Sequence, residues 1–264
     1  MRIPKLNPPG QSLRYQAGCK TYGTPEMLLI ILKKITIISL LIYLSALTVQ
    51  AQYVMLGDSK EMMNGCIQLT PDQPYSEGIA YNENKLDLNR FFQIEFDIYL
   101  GNKDAGADGI TFVIHNDSRG FGAFGTWGEC MGYGRFNPFA DGNSISPSVA
   151  IEFDTYQNPW QNDPVSDHVA FLQNGISMHL DHWNGDDMNF DLEDDRLHSF
   201  YFRWDPKEKA ITVVLDGDIV YYGKQDLKKE IFSDKSQVIW GFTASTGRAH
   251  NHQYFCLRRL ASIK

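Results

Sequence analysis

Carboxylate, amide and imidazole side chains recur at short intervals between residues 152 and 168 of the sequence. Glu152 and Asp154 lie two residues apart in an apolar run, so an extended chain presents both carboxylates on one face. Asn158 and Asp163 follow in a proline-containing loop, and His168 opens the next apolar run. Oxygen donors suit Ca²⁺, whereas an imidazole beside carboxylates suits a transition metal such as Mn²⁺ or Zn²⁺. The segment predicts a paired metal site, with an acidic surface loop carrying a stray histidine as the alternative.

The apolar runs on either side of this loop have the alternation that is typical of β-strands. Residues 91–100 alternate between apolar and polar side chains, as a strand with one buried face does. Similar runs occupy residues 109–114, 148–154, 168–172, 198–204, 210–215 and 238–244. Asp216-Gly217 between two such runs predicts a two-residue hairpin, and residues 225–231 could form one short helical turn. The pattern predicts an all-β, antiparallel sandwich or barrel in a single domain.

Composition and charge are consistent with such a domain and exclude one class of partner. The chain has 264 residues, of which 13% are aromatic and 22 are glycine, and its formal net charge is −8. An acidic chain without a basic run has nothing to offset phosphate repulsion, so we expect no nucleic-acid partner.

The first 51 residues have a different character from the remainder. Lys33 and Lys34 precede a 13-residue apolar stretch, and a small residue, Ala51, ends the segment. This order predicts a secretory signal peptide over residues 27–51, cleaved near Ala51, and a secreted, periplasmic or cell-surface location. The alternative, a membrane anchor over residues 27–47, would bury both lysines in the bilayer. Because a signal normally begins close to its charged residues, we interpret residues 1–26 as an over-extended start or a polar leader, with residues 52–264 as the functional domain.

Two cysteines lie in the first and last strand regions of this domain. If those strands are neighbours, Cys66 and Cys256 could form a disulfide, which an exported chain would favour. Two buried free thiols are the alternative. Cys130 is left over in a glycine-rich loop.

Three separate motifs carry a resemblance to a known family. They are the Glu-x-Asp-x-aromatic-x-Asn-x₄-Asp-x₄-His spacing that starts at Glu152, the Ala107-Asp108-Gly109 triplet before an apolar strand, and residues 240–247. Together they resemble the legume-type (L-type) lectins, most closely the bacterial members, from about residue 53 to the end. The resemblance implies a flattened jelly-roll sandwich of two large antiparallel sheets, a cis peptide bond between Ala107 and Asp108, and a homodimer as one form of assembly.

The resemblance also assigns ligands to two metal ions. It implies a Ca²⁺ site formed by Asp154, Asn158, Asp163 and the carbonyl oxygen of Tyr156. It implies a Mn²⁺ site, or one for another transition metal, formed by Glu152, Asp154, Asp163 and His168. Asp154 and Asp163 would then bridge the two ions.

A shallow sugar site above these metals is the functional implication of the resemblance. Asp108 would accept hydrogen bonds from two sugar hydroxyls, and Asn158 would donate its side-chain amide. Tyr156 would place its ring against the apolar face of a pyranose. The remaining contacts would come from Glu129, Gly247 and Arg248. The expected partner is therefore a glycan.

Two positions depart from the family pattern. The loop Gly128–Gly134 has Glu129 and bulky residues where the family is richer in glycine, so a side chain crowds the expected sugar site. The serine that the family uses to hold a metal-bound water has no counterpart at its place, and Ser177 is one residue away.

Two other functions share this architecture. A laminarinase-type glycosidase needs a second acidic residue shortly after Glu-x-Asp, but Tyr156, Gln157 and Asn158 occupy those positions. The chain also lacks the usual nucleophile-elbow, zinc-protease and phosphate-loop motifs. A surface adhesion module with a decayed sugar site is the other alternative. The sequence thus predicts an exported, non-catalytic lectin whose glycan binding depends on Ca²⁺.

Overall fold

The computed structural model describes residues 52–263, except for residues 180 and 186–189. The strands are β1 (Tyr53–Gly57), β2 (Lys60–Glu61), β3 (Ile67–Thr70), β4 (Glu77–Asn82), β5 (Leu86–Asp87), β6 (Phe91–Tyr99), β7 (Gly109–His115), β8 (Ser148–Asp154), β9 (His168–Gln173), β10 (His198–Asp205), β11 (Ala210–Leu215), β12 (Asp218–Lys224), β13 (Gln237–Ser245) and β14 (Gln253–Ile263). Short 3₁₀ helices occupy Gly120–Gly122, Gly128–Cys130 and Pro159–Gln161, and Leu227–Ile231 form a π-helical turn.

These strands form two antiparallel sheets. The first has the order β1-β4-β13-β7-β8-β9, with β5 paired to β13. The second has the order β12-β11-β10-β6-β14-β3-β2. The predicted all-β antiparallel sandwich is therefore confirmed.

Aromatic side chains from both sheets meet in the main core. Phe96 of β6 lies 5.6 Å, between ring centroids, from Phe112 of β7 and 4.8 Å from Phe242 of β13. Phe92, Ile94 and Phe96 are all buried, as the alternation in residues 91–100 predicts. Burial of this apolar surface is the main source of stability for the sandwich.

A second, smaller core lies on the outer face of the first sheet. Val113 of β7 and Ala150 of β8 contact apolar residues of the long connection between these strands, including Tyr133 and Ile145. Every residue of β7 and β8 is consequently buried, on both faces of the sheet. Polar residues on the outer face, Glu152 and Asp154 among them, are therefore enclosed rather than in open solvent.

Local predictions for turns and cysteines can be checked directly. Asp216 and Gly217 join β11 to β12 as a two-residue hairpin, with φ of +50° and +97°. Cys66 and Cys256 form a disulfide with Cα atoms 4.3 Å apart, because β14 pairs with β3. Cys130 is free and buried.

The predictions for residues 1–26 and 27–51 fall outside the described residues. In the part of the chain that the structure describes, no helix is long and apolar enough to cross a membrane.

Candidate functional site

Strand pairing brings three of the predicted metal ligands to one face of the first sheet. Glu152 and Asp154 alternate with Phe153, whose ring points into the main core. The register pairs Asp154 of β8 directly with His168 of β9. Neighbouring residues in paired strands project to the same face, so two carboxylates and one imidazole converge there.

The loop between β8 and β9 folds back over these residues. The Tyr156 N–H donates to Asp154 Oδ1 over 2.7 Å, and the Asn158 N–H donates to Asp163 Oδ2 over 2.6 Å. A 3₁₀ turn at Pro159–Gln161 lies between Asn158 and Asp163. Asp163 Oδ1 consequently lies 3.8 Å from His168 Nε2.

Buried polar atoms at this place lack hydrogen-bond partners. Among the described residues they include Glu152 Oε2, Asn158 Oδ1, Asp163 Oδ1 and His168 Nε2. Buried polar groups are normally satisfied, so a cluster of such atoms indicates a ligand. Oxygen and imidazole donors fit the Ca²⁺ and transition-metal sites that the resemblance implies.

The protonation behaviour of these groups reflects their enclosure. Burial raises the pKa of Glu152 and of Asp154, and the charges of Glu152 and Asp163 raise that of Asp154 further. Burial also raises the pKa of Asp163 to about 7. Burial and the neighbouring His179 lower the pKa of His168 to about 3, so its ring is neutral at physiological pH and able to bind a metal.

His179 is a residue of this cluster that the sequence patterns do not identify. Its Nδ1 lies 3.4 Å from Glu152 Oε2, and its Nε2 lies 4.0 Å from Asp163 Oδ1. The Ser177 hydroxyl oxygen instead lies 3.3 Å from Cys130 Sγ and 3.3 Å from the Arg135 carbonyl oxygen, and donates its proton to one of them.

Asp108 lies beside these candidate metal ligands, immediately before β7, whose first residue pairs with Asp154. Its peptide bond with Ala107 is cis, as the resemblance implies. Gly109 pairs with Asp154, and a Cβ at Gly109 would lie 2.1 Å from the Phe153 carbonyl oxygen, so only glycine allows this approach. The Thr155 N–H donates to the Asp108 carbonyl over 3.1 Å.

The Asp108 carboxyl is available for a ligand. It is buried, and its Oδ2 has no hydrogen-bond partner among the residues that the structure describes. A Cβ at Gly247 would lie 3.9 Å from that atom, so the turn after β13 forms one wall, with Arg248 exposed beside it. Burial, followed by the charge of Glu129, raises the pKa of Asp108 to about 7.

Two exposed aromatic side chains lie in the loop between β8 and β9. Tyr156 is 43% exposed although its neighbour Asn158 is buried. Trp160 is 58% exposed, and its Nε1 donates to Glu129 Oε2 over 2.9 Å. The Gln161 side chain also donates to the Glu129 carbonyl over 3.0 Å. Glu129 thus accepts hydrogen bonds from two residues of the loop between β8 and β9. The sequence does not predict these contacts, because Glu129 lies in a different loop.

A comparison with protein families decides the classification. The model of the legume lectin beta-barrel domain matches residues 45–259. The chain belongs to the legume lectin (L-type lectin) family. Within this family, a "Probable L-type lectin-domain containing receptor kinase V.3" of Arabidopsis thaliana is 28% identical over 211 residues, 72% of this chain and 31% of the kinase. A lectin of Onobrychis viciifolia is 28% identical over 143 residues, 48% of this chain and 56% of that lectin.

Solved lectin structures share the fold. A basic winged bean lectin with Tn-antigen has a TM-score of 0.64 at 22% identity, over 80% of this chain and 92% of that lectin. A Bauhinia forficata lectin in complex with GalNAc has a TM-score of 0.64 at 20% identity, over 83% and 95% of the two chains. The L-type lectin domain here spans less than two thirds of the curated relatives described above. These relatives are plant proteins, and a bacterial origin stays a prediction.

Proposed function

We propose that this chain is a non-catalytic, carbohydrate-binding lectin whose sugar site depends on Ca²⁺ and on a neighbouring transition metal. The observation that carries the proposal is the Asp108 carboxyl, which is buried, lacks a partner at Oδ2 and adjoins both the metal cluster and the Gly247 turn. A fixed carboxylate is the acceptor that two adjacent sugar hydroxyls require.

The surrounding residues supply the other contacts that a sugar needs. The Oδ1 of the buried Asn158 is unpartnered among the described residues; with this atom on Ca²⁺, its NH₂ group would be left to donate to a hydroxyl. The exposed Tyr156 ring offers an apolar surface to the C–H face of a pyranose. Backbone N–H groups of Glu129 and of the Gly247-Arg248 turn complete the set.

The loop between β8 and β9 links metal binding to sugar binding. The Asn158 N–H donates to the Asp163 carboxylate, and the Tyr156 N–H donates to the Asp154 carboxylate. The candidate metal ligands and the candidate sugar contacts therefore belong to one segment. Bound cations would compensate the negative charges of the three buried carboxylates, which are costly to bury unpaired. Asp154, Asn158, Asp163 and the Tyr156 carbonyl would hold Ca²⁺.

Family relationships support this function rather than catalysis. The relatives include lectins, and the Bauhinia forficata structure contains GalNAc. We propose export as well, from the signal-like residues 27–51, and the Cys66–Cys256 disulfide agrees with an oxidising compartment.

A glycan array, probed in Ca²⁺ and again in EDTA, tests the proposal. We expect binding to a defined set of glycans in Ca²⁺, its loss in EDTA and its return when Ca²⁺ is restored. Asp108→Asn should abolish binding because the amide replaces one acceptor oxygen with a donor. Asp218→Asn, at an exposed position of β12 in the other sheet, is the matched control and should bind as the wild type does.

Either of two results would contradict the proposal. One is glycan binding that persists after thorough chelation, and the other is equal binding by Asp108→Asn. Silence on the array by a metal-loaded protein would favour an adhesion module without a working sugar site.

A further inference from the structure

The segment after β9 returns to the metal cluster and brings a second histidine to it. The chain turns at Asn174 and Gly175, both with positive φ. The Ser177 N–H then donates to the Arg135 carbonyl and the Met178 N–H to the Phe136 carbonyl, each over 3.0 Å. These bonds to a distant loop fix the position of His179 independently of the cluster.

His179 has the distances of a metal ligand rather than of a hydrogen-bonded residue. Its Nδ1 is 3.4 Å from Glu152 Oε2, longer than the usual hydrogen-bond range of about 2.7–3.2 Å. Two atoms that each lie about 2.1 Å from one tetrahedral zinc ion are about 3.4 Å apart. One ligand atom each from Glu152, His168 and His179 lie within 4.8 Å of one another.

Among the described residues, neither ring nitrogen of His179 has a partner in hydrogen-bond geometry, although the residue is only 5% exposed. His168 Nε2 and Glu152 Oε2 are buried and unpartnered beside it. Unpaired polar atoms from three buried side chains are costly unless they share a ligand. A metal ion satisfies a nitrogen of each ring and the carboxylate at once.

We propose that His179 is a direct ligand of the transition metal, which gives this site two imidazoles and makes it selective for Zn²⁺ over Mn²⁺. This rests on the proposed metal dependence and refines its second ion. The family resemblance implies a water held by serine at that place, whereas here Ser177 contacts Cys130 and His179 occupies the cluster. Imidazole suits zinc, whereas carboxylate and water ligands suit manganese.

A neighbouring histidine provides the matched control. The His182 ring lies 5.5 Å from the His168 ring and 5.8 Å from the His179 ring, between centroids, compared with 4.9 Å between His168 and His179. His182 also has a buried, unpartnered Nδ1, but it is half-buried as a whole and stands outside the groups of mutually close ligand atoms. It is expected to contribute nothing to metal affinity.

X-ray absorption at the zinc edge of the full-length, Zn²⁺-loaded wild-type protein tests the proposal without any substitution. We expect the spectrum to require two imidazoles per zinc. In His179→Ala it should require one, and in His182→Ala it should still require two. A wild-type spectrum with a single imidazole would overturn the proposal.

Calorimetric titration of chelator-stripped protein gives a second readout. With Ca²⁺ present, His179→Ala should weaken Zn²⁺ binding about tenfold or more and Mn²⁺ binding much less. His182→Ala should match the wild type, and circular dichroism would check that each variant is folded. Unchanged Zn²⁺ affinity in a folded His179→Ala variant would contradict the proposal.

The two proposals fail in different ways. Glycan binding that ignores EDTA, together with a two-imidazole zinc spectrum, would contradict the proposed function and leave the role of His179 intact. Ca²⁺-dependent glycan binding, together with a wild-type zinc spectrum that requires a single imidazole, would contradict the role of His179 and support the proposed function.

Discussion

Tyr156 is the residue whose contribution to the candidate sugar site can be isolated most directly, because its carbonyl and its ring have separate roles. The ring is 43% exposed, whereas the backbone N–H is bonded to Asp154. Tyr156→Ala removes the apolar surface but keeps the carbonyl that would face Ca²⁺. We expect sugar affinity to fall by about 1–2 kcal/mol, which is roughly 5–30-fold, with Ca²⁺ affinity unchanged. Calorimetric titration with a glycan identified on the array measures the sugar affinity, and titration with Ca²⁺ measures the Ca²⁺ affinity.

Tyr156→Phe is the control for this prediction. It keeps the ring and removes only the hydroxyl, so its affinity should stay close to that of the wild type. Equal loss of sugar affinity in the two variants would show that the hydroxyl rather than the ring face makes the contact.

At the residue scale, sequence spacing identifies those site residues that one strand-loop-strand segment contains. Glu152, Asp154 and His168 follow from alternation and pairing alone. His179 could not be found in this way, because its position depends on backbone bonds of residues 177 and 178 to residues 135 and 136. The same applies to Trp160, whose partner Glu129 lies 31 residues earlier in the chain.

At the element scale, the long connection between β7 and β8 depends on Asp117 and Arg119. Arg119 donates from Nε to Asp117 Oδ1 over 2.9 Å and from Nη2 to Oδ2 over 2.7 Å. The Ser146 N–H donates to the same carboxylate, and Arg119 also donates to the Ser144 carbonyl. This pair thus joins both ends of the connection that carries Glu129.

Asp117→Asn tests this role. Burial alone would raise the pKa of Asp117, but the bonds from Arg119 and Ser146 outweigh it and lower the pKa to about 2. Because Arg119 is partly exposed and solvent screens the pair, we expect the substitution to lower the free energy of unfolding by about 1–2 kcal/mol at pH 7. Urea denaturation followed by tryptophan fluorescence measures it.

The pH dependence gives the sign of this effect. A depressed folded-state pKa contributes stability that is full above the unfolded value of 3.8 and is lost as the pH falls through about 2. The difference between wild type and Asp117→Asn should therefore be constant from pH 7 to 5 and shrink below pH 4. Glu208→Gln, which removes an exposed pair with Lys224, should change stability little at any pH.

Element prediction succeeds where a strand has one buried face. In β6 the buried residues Phe92, Ile94 and Phe96 alternate with less buried ones. The alternation of apolar and polar residues in the sequence predicts this pattern. In β7 and β8 every residue is buried, because a loop covers the outer face. Predicting the second core would require knowing where residues 116–147 pack against the first sheet. No local sequence pattern contains that information.

At the scale of the whole molecule, the disulfide and the candidate metal ligands lie in different sheets. Cys66 and Cys256 join strands 190 residues apart in sequence within the second sheet. Three buried carboxylates, those of Glu152, Asp154 and Asp163, lie together at the outer face of the first sheet. Without compensation, these charges oppose the burial energy of the sandwich.

The stability of chelated protein should therefore depend on pH in an unusual direction. Asp163, with a folded-state pKa raised to about 7 by burial, contributes no penalty below its unfolded value of 3.8 and an increasing one as the pH rises through 7. Burial raises the pKa of Glu152 and Asp154 in the same direction. In EDTA we expect the melting temperature to be higher at pH 5.5 than at pH 8.

Bound cations should reverse this trend, since they require deprotonated ligands and compensate the charges. Differential scanning calorimetry in saturating Ca²⁺ and Zn²⁺, compared with EDTA, should show a stabilisation at pH 8 that exceeds that at pH 5.5 by roughly 5–10 °C, equivalent to a few kcal/mol. Asp163→Asn, which removes one of the buried charges and one ligand, should reduce both the pH effect in EDTA and the gain from metal. An identical metal-induced shift at the two pH values would mean that the carboxylates on the outer face of the first sheet are not the groups that couple cation binding to folding.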